Sequence, residues 1–317
     1  MRYNRQEALD IIGKNNQLLL KQSSVAIVGV GAIGTVVLDI LSRAGIGKIK
    51  IIDRDIIELN NLQRQTLFNE EDLGKPKALV AKEKTNLINS EIEIEANVLD
   101  LDYDNIEILK SDLILDCTDN LYTRFLLNDY SRKNNIPWIY ASVIKSKGMT
   151  MNITKDTPCF SCVFDEPKES LETCDTAGVI NTIPHAIAAI QVTEAIKILT
   201  KQDYNKEIIY YDLWKNEINK IKINKSEKCK TCKGIYEFLE GKKSKRIIKI
   251  CGSCNYQIKI DPININKIYE KLDKINNIKT TEDCIILEDI ILFKSGRALV
   301  KAKTKEQAKA IVDRYLG

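Results

Sequence analysis

Ser24-Val25-Ala26-Ile27-Val28-Gly29-Val30-Gly31-Ala32-Ile33-Gly34 is the stretch on which the fold turns. A short β-branched run enters three glycines in the spacing G-x-G-x-x-G, and residues 32–44 then carry helical spacing. Strand, glycine turn and helix, in that order, form the context in which this spacing cradles a nucleotide phosphate. Gly31 lets backbone approach the phosphate, and Gly34 lets the helix pack tightly on the strand. Amides at the helix N-terminus then face the anion. A packing turn without ligand is the plain alternative. The motif by itself does not separate NAD from ATP.

Outward from this loop, residues 48–52 read as a second buried strand ending at Asp53, which is placed to accept hydrogen bonds from ribose hydroxyls. Gly74 and Pro76 open another helix through about residue 89, with Pro76 in the favoured first turn. Strands are expected over 91–98, 112–116 and 136–141, with a helix near 120–133. Strands alternating with helices imply a parallel sheet with right-handed crossovers. Beyond it, 146–154 reads as a strand, 163–179 as an acidic crossing loop, 184–199 as an amphipathic helix, and 208–212 with 217–223 as a hairpin. From Arg246 the order is β-α-β-β-α: strand 247–260, helix 265–275, strands 284–287 and 290–294 with 298–301, and helix 305–315. The fold class is therefore α/β, a Rossmann-like doubly wound, mostly parallel sheet with an antiparallel extension. It occupies residues 1–240, followed by a small α+β domain over 241–317.

Composition sets limits on function. With 317 residues, 44% of them apolar, the chain can bury a sizeable core. A net charge of +4 is too small to imply nucleic-acid binding. Residues 220–249 hold eleven basic against three acidic residues, a local net of +8 that leaves −4 for the rest. That run is either a solvated surface or a landing strip for an acidic protein partner. The N-terminus lacks an apolar signal core, and the most apolar stretch, 25–41, holds three glycines and Asp39, which excludes a membrane span. Nine cysteines without an export signal point to metal or catalysis before disulfides. A soluble, cytoplasmic protein is expected.

Asn60-Asn61-Leu62-Gln63-Arg64-Gln65, a polar loop past the second strand, tilts the nucleotide toward ATP. A guanidinium fork suits polyphosphate better than nicotinamide. Arg64 and Lys77 would converge above the carboxyl ends of the strands and neutralise charge on a transferring phosphorus centre. Asp116-Cys117-Thr118-Asp119-Asn120 ends a buried strand. There Asp119 either caps the next helix or holds Mg²⁺ beside phosphates, and the metal reading is preferred because the strand end faces the nucleotide. Asp116 is the better candidate for a structural hydrogen bond.

Cys159-x-x-Cys162 and Cys229-x-x-Cys232 together suit a closed, structural four-thiolate Zn²⁺ site. Cys251-x-x-Cys254 is a rival pair, for which a place within a strand is preferred. Cys174 lies in the acidic loop, where its neighbours would raise its pKa. Cys117 and Cys284 read as buried small hydrophobes. His185, the single histidine, reads as a helix-start residue.

These residues form a recognisable set. Arg2-Tyr3-Asn4-Arg5-Gln6, the glycine loop, Asp53-x-Asp55, Asn61-Leu62-Gln63-Arg64-Gln65, Gly74-Lys75-Pro76-Lys77, Asp116 to Asn120 and the two cysteine pairs resemble the ThiF/MoeB/HesA family, the ubiquitin-activating-type adenylyltransferases, and MoeB-like members most. The resemblance runs from Arg2 to about Cys232. It implies that a ubiquitin-fold sulfur carrier offers its C-terminal glycine carboxylate to the α-phosphorus of ATP, releasing pyrophosphate. It further implies that Arg64 and Lys77 stabilise phosphate charge, that Asn61 polarises the phosphates with Asn60 and Asn120 nearby, and that Asp119 binds Mg²⁺. In the same way Asp53 would hold the ribose, Asp55 would lie on the nucleotide side, and Gly29, Gly31 and Gly34 would admit the nucleotide. Arg5 would reach into the neighbouring subunit's site, making the protein a homodimer. Cys174 matches the position at which some members bind the carrier covalently. No rhodanese-like segment is expected, so sulfur transfer would use another protein, such as a sulfurtransferase, or another route. The expected pathways are thiamine, molybdopterin or tRNA thiolation. An NAD-dependent oxidoreductase, a family member acting on a peptide or tRNA base, and a non-catalytic scaffold are the alternatives.

Overall fold

A computed structural model describes residues 2–166, 177–243, 247–249, 255–272, 278–281, 284–294 and 296–316. The chain divides into two compact units, Met1–Lys243 and Ser244–Gly317.

The first unit is built on an eight-stranded sheet. Its strands are β1 (Ser24–Val28), β2 (Lys48–Ile52), β3 (Glu93–Asn97), β4 (Leu113–Asp116), β5 (Trp138–Ile144), β6 (Lys147–Ile153), β7 (Ile208–Asp212) and β8 (Glu217–Ile221), in the order β3-β2-β1-β4-β5-β6-β7-β8. The first five run parallel, and β6, β7 and β8 continue as an antiparallel extension. This is the doubly wound architecture expected from the glycine-loop context, with its strand order reversing at β1.

Helices α1 (Asn4–Glu7) and α2 (Gly13–Gln22) precede the sheet, and α3 (Ala32–Ala44), α4 (Lys77–Ile88), α5 (Leu121–Asn134), α6 (Phe160–Val163) and α7 (Thr182–Leu199) are interleaved with it. The continuous apolar run of β1 is explained by burial on both faces, as parallel central strands require. Val25 and Ile27 pack with residues of α3, α4 and α7, such as Val37, Leu41, Ala78, Ile187 and Val192. Ala26 and Val28 face the opposite layer, which holds Phe125, Leu126 and Tyr130 of α5.

Two local expectations change. Pro76 stands one residue ahead of α4 as its N-cap, so Lys77 opens the helix. The helix expected to be amphipathic, α7, is buried around most of its circumference, Gln191 and Glu194 included. It lies against α3 and β5, where its polar side chains find partners inside the protein.

The second unit carries a six-stranded antiparallel sheet. Its strands β9 (Ile247–Lys249), β10 (Asn255–Lys259), β11 (Lys279–Thr280), β12 (Cys284–Ile286), β13 (Ile290–Phe293) and β14 (Arg297–Lys301) follow the order β11-β12-β13-β14-β10-β9. Helices α8 (Ile265–Leu272) and α9 (Lys305–Leu316) accompany it. The single strand expected over 247–260 is instead the antiparallel pair β9 and β10. Cys251 and Cys254 lie outside the described residues. Cys284 is buried, as expected of a small hydrophobe.

Candidate functional site

The glycine loop has a filled side and an open side. A Cβ on Gly34 would stand 2.1 Å from the Gly29 carbonyl oxygen, and one on Gly29, whose φ is +89°, 2.7 Å from the Cys117 carbonyl oxygen. Only glycine fits there, because α3 and the end of β4 press directly on the turn. Above Gly31 the nearest atom to such a Cβ is the Gln65 Nε2, 3.8 Å away. That face of the loop is therefore a cradle next to the first amides of α3.

Asp53 sits beneath the loop. Its Oδ2 accepts from the Val30 amide at 2.6 Å and its Oδ1 from the Asp55 amide at 2.7 Å. The carboxylate thus holds the loop's shape, and Asp55 presents the more exposed carboxylate of the pair. Burial pushes the Asp53 pKa up, with Lys77 pulling against it.

Lys77 is delivered to this spot by a local tie. The Lys77 amide donates to the Asp55 carbonyl, and Ile57 and Lys75 are bonded across an isolated bridge between Ile56 and Pro76. The side chain is only 9% exposed, with Nζ 3.6 Å from Asp55 Oδ2. Burial alone would lower its pKa, but Asp55, Asp53 and Asp119 outweigh that and hold it above the usual lysine value. A buried ammonium kept charged by three carboxylates is available to a polyanion.

Asn120, at 2.8 Å from the Thr123 amide, is the side chain that caps α5. Asp119 is therefore exposed and bonds none of the described residues. The capping reading of Asp119 falls, and its charge is felt by Lys77, Arg54 and Arg124. Asn61 is buried in a short 3₁₀ turn, where its Oδ1 accepts from the Glu58 amide and its Nδ2 donates to Asn60. Arg64 Nη1 donates to the Asn60 carbonyl at 2.8 Å, folding the guanidinium over its own turn. Gln65 closes the same turn and is 4% exposed.

Asp116 has the structural role expected of it. Its oxygens accept from the Thr118 amide, the Thr118 hydroxyl and Arg124 Nε. Sequence reasoning missed Arg124, which also donates to the carbonyls of Thr118 and Ala141 and lies over the Tyr140 ring. The missed signal was a cation beside Phe125-Leu126-Leu127, on the buried face of a helix. Gln191 completes the network by donating to the Asp116 and Ile139 carbonyls. Cys117 is buried against Gln191, its thiol pKa pushed well up by burial.

At the N-terminus Tyr3, Gln6 and Arg2 are docked while Arg5 is not. The Tyr3 hydroxyl accepts from Asn89, Gln6 Nε2 donates to the Ala44 carbonyl, and Arg2 donates to the Ile88 carbonyl. Arg5 is exposed and bonds none of the described residues.

Cys159, Cys162, Cys229 and Cys232 converge. Four of their Sγ separations are 3.4, 3.5, 3.6 and 3.6 Å, and all lie within 4.8 Å. Zinc–sulfur bonds of about 2.3 Å put tetrahedral sulfurs roughly 3.8 Å apart, so the cluster has the dimensions of a four-thiolate metal site. Asp129 braces it from α5, accepting from the Thr231 hydroxyl and the Phe238 amide. Cys174 lies outside the described residues. His185 is exposed at the start of α7, its Nδ1 2.9 Å from the Asn181 carbonyl.

A doubly wound sheet with an open glycine cradle, a buried lysine and an exposed carboxylate at its switch point defines a nucleotide-binding α/β protein. A model of the ThiF family matches residues 3–232, and the chain belongs to that family. It is 33% identical to the sulfur carrier protein ThiS adenylyltransferase of Bacillus subtilis, covering 100% of this chain and 99% of that protein. It is 32% identical to the ThiS adenylyltransferase of Escherichia coli over 74% of this chain and 95% of that one. Among solved structures, E. coli MccB with MccA-N7isoASN superposes with a TM-score of 0.65 at 27% identity, covering 73% of this chain and 75% of MccB.

Proposed function

We propose that this chain adenylates the C-terminal glycine of a ubiquitin-like sulfur-carrier protein with ATP. A carboxylate oxygen of the carrier bonds to the α-phosphorus, the bond from that phosphorus to the bridging oxygen of the β-phosphate breaks, and pyrophosphate leaves with the electron pair. Both reactants are anionic, so positioning and charge neutralisation supply the catalysis. No general base is required, because the carboxylate is ionised at neutral pH. The observation that carries this reading is the open cradle over Gly31 with the buried, charged Lys77 beside it. The relatives' names, adenylyltransferases in each case, agree.

In this reading Lys77 and Arg64 take the phosphate charge, Asn61 with Asn60 polarises it, and Asp119 holds Mg²⁺. Asp53 keeps the loop in shape, and Asp55 and Asp53 serve the ribose. Asn120 holds the helix start beside Asp119. Arg5, undocked between residues that are docked, enters the site of a second copy in a homodimer. Zn²⁺ bound by Cys159, Cys162, Cys229 and Cys232 is structural, since four thiolates leave no open position. Cys174 is the candidate for a covalent link to the carrier, with a separate sulfurtransferase delivering sulfur. Residues 241–317 form a partner-binding domain, and the match to the Bacillus enzyme, which extends through them, supports a thiamine-type carrier over a molybdopterin or tRNA-thiolation one. The protein works in the cytoplasm. Among the described residues no helix is long and apolar enough to cross a membrane.

The test is ATP–pyrophosphate exchange with purified carriers. Exchange that appears with an intact carrier and disappears when its terminal glycine is removed is the expected result. Exchange without any carrier, or no exchange with every carrier tried, sinks the proposal. A peptide substrate is the second reading, favoured by the likeness to MccB, and exchange driven by a short peptide alone would select it.

A further inference from the structure

Asn128 and Asp129 stand side by side on α5, both buried, and each takes hold of one cysteine pair. Asn128 Oδ1 accepts from the Phe160 amide at 2.8 Å, and its Nδ2 donates to the Ser161 hydroxyl at 3.0 Å. It thus clamps the two residues between Cys159 and Cys162. Asp129 Oδ1 accepts from the hydroxyl of Thr231, which lies between Cys229 and Cys232, at 2.8 Å. Its Oδ2 goes to a third piece of chain, accepting from the amides of Phe238 at 3.0 Å and Leu239 at 3.5 Å. That piece, residues 235–243, lies past the stretch matched by the family model and ends the first unit. A second route ties it to the cysteines. The Phe238 ring stacks on Phe125, 5.0 Å between centres, and Phe125 meets Phe160 edge-on at 5.1 Å. The Ile235 amide also donates to the Lys230 carbonyl, inside the second cysteine pair.

We propose that Asn128 and Asp129 are positioning residues of the metal site and couple its occupation to the docking of residues 235–243. A metal held by four thiolates fixes both cysteine pairs at once. Thr231 is then held against Asp129, and the carboxylate stays turned so that its other oxygen meets the Phe238 amide. Without metal, the four sulfurs have no strong bond in common, and the pairs are held by α5 alone. Coupling between two binding events is reciprocal, so loosening the docked segment weakens metal binding by the factor with which metal loss loosens the segment. The plain alternative is a core in which α5 holds the cysteines and the segment independently, and it predicts no effect of either on the other. This inference rests on the reading of the cysteine cluster as a Zn²⁺ site, and the experiment separates the two.

Full-length wild type, Asp129→Asn and Phe238→Ala are titrated with Zn²⁺ against a chromophoric chelator. Wild type that takes up no Zn²⁺ rejects the four-thiolate site itself. Given uptake, the Kd for Zn²⁺ should rise about tenfold or more in both variants. Asp129→Asn keeps one acceptor oxygen and loses the other, and Phe238→Ala removes no metal ligand. Amide hydrogen exchange of the wild type, with Zn²⁺ bound and after chelation, needs no variant to fold. Metal removal should speed exchange in residues 235–243 by about the same factor, while residues 24–44 keep their protection. Wild-type Zn²⁺ affinity in either variant overturns the inference. So does protection of residues 235–243 that ignores the metal. Loss of protection shared equally by residues 24–44 overturns it too, because the metal would then support the whole unit.

Discussion

Two polar clusters stand at the ends of β4 and β2, the strands that flank β1, and are finished in opposite ways. At the end of β4, Asp116 and Arg124 are both buried, and their bonds run to Thr118, Ala141 and each other. At the end of β2, Asp53, Asp55 and Lys77 gather charge beside the glycine loop, on the side where a Cβ at Gly31 would meet no backbone. The glycines repeat the contrast: a Cβ on Gly34 would collide with the Gly29 carbonyl, whereas one on Gly31 would meet only Gln65 Nε2 at 3.8 Å. A closed polar cluster spends its bonds on the fold. An open one keeps hydrogen-bonding and electrostatic capacity for a ligand, at a cost to stability.

The sharpest way to break this comparison is Arg124→Met. It leaves Asp116 as an uncompensated buried carboxylate and should cost about 3–5 kcal/mol, read as a fall in urea midpoint. A small change would mean that the closed cluster is not structural. Lys77→Met should lower carrier-dependent exchange about 10²–10³-fold, on the scale of losing one stabilising donor at developing charge. Its unfolding midpoint should fall less than that of Arg124→Met, since Asp53 keeps its two backbone amides. Equal losses of stability in both would erase the distinction between the clusters. For the glycines, Gly34→Ala should destabilise by more than about 1–3 kcal/mol, the usual range for overpacking, because the contact is with backbone. Gly31→Ala should fold normally and bind MgATP more weakly, which differential scanning of the two variants with and without nucleotide would reveal. The smallest effect is Arg43→Ala, which removes an exposed pair with Asp39 on α3 and should cost about 0.3–0.5 kcal/mol.

Much of the first unit was legible in the chain because its signals are local. A β-branched run, three glycines and a helical period lie within twenty-one residues, 24–44, and the structure returns β1, the loop and α3 there. The cysteine pairs were legible for the same reason, since each carries its own spacing, and the four sulfurs do converge. Which of Asp119 and Asn120 caps α5 was not legible, because adjacent cap-formers are equivalent until the helix chooses its first turn, and the structure gives the cap to Asn120. Arg124 left only a faint signal, a cation beside Phe125-Leu126-Leu127. Its partners lie on β4, on β5 and at Thr118, and a lone arginine in a helix pattern reads as solvent-facing. In the second unit, alternation over 247–260 fused two strands into one, because period-2 burial continues across a hairpin whichever way the chain runs.

The sequence by itself determined the sheet, the nucleotide loop, the metal-sized cysteine set and the family, since each is written in residues near one another or in spacing that survives without coordinates. Only the tertiary structure decided which polar residues are satisfied. That Asp53 holds the loop, that Arg124 closes the β4 end, and that Gln65 is buried beside Gly31 without a partner all depend on atoms brought together from distant positions. Hydrogen-bond satisfaction is a property of packed neighbours, and no single stretch of chain encodes it.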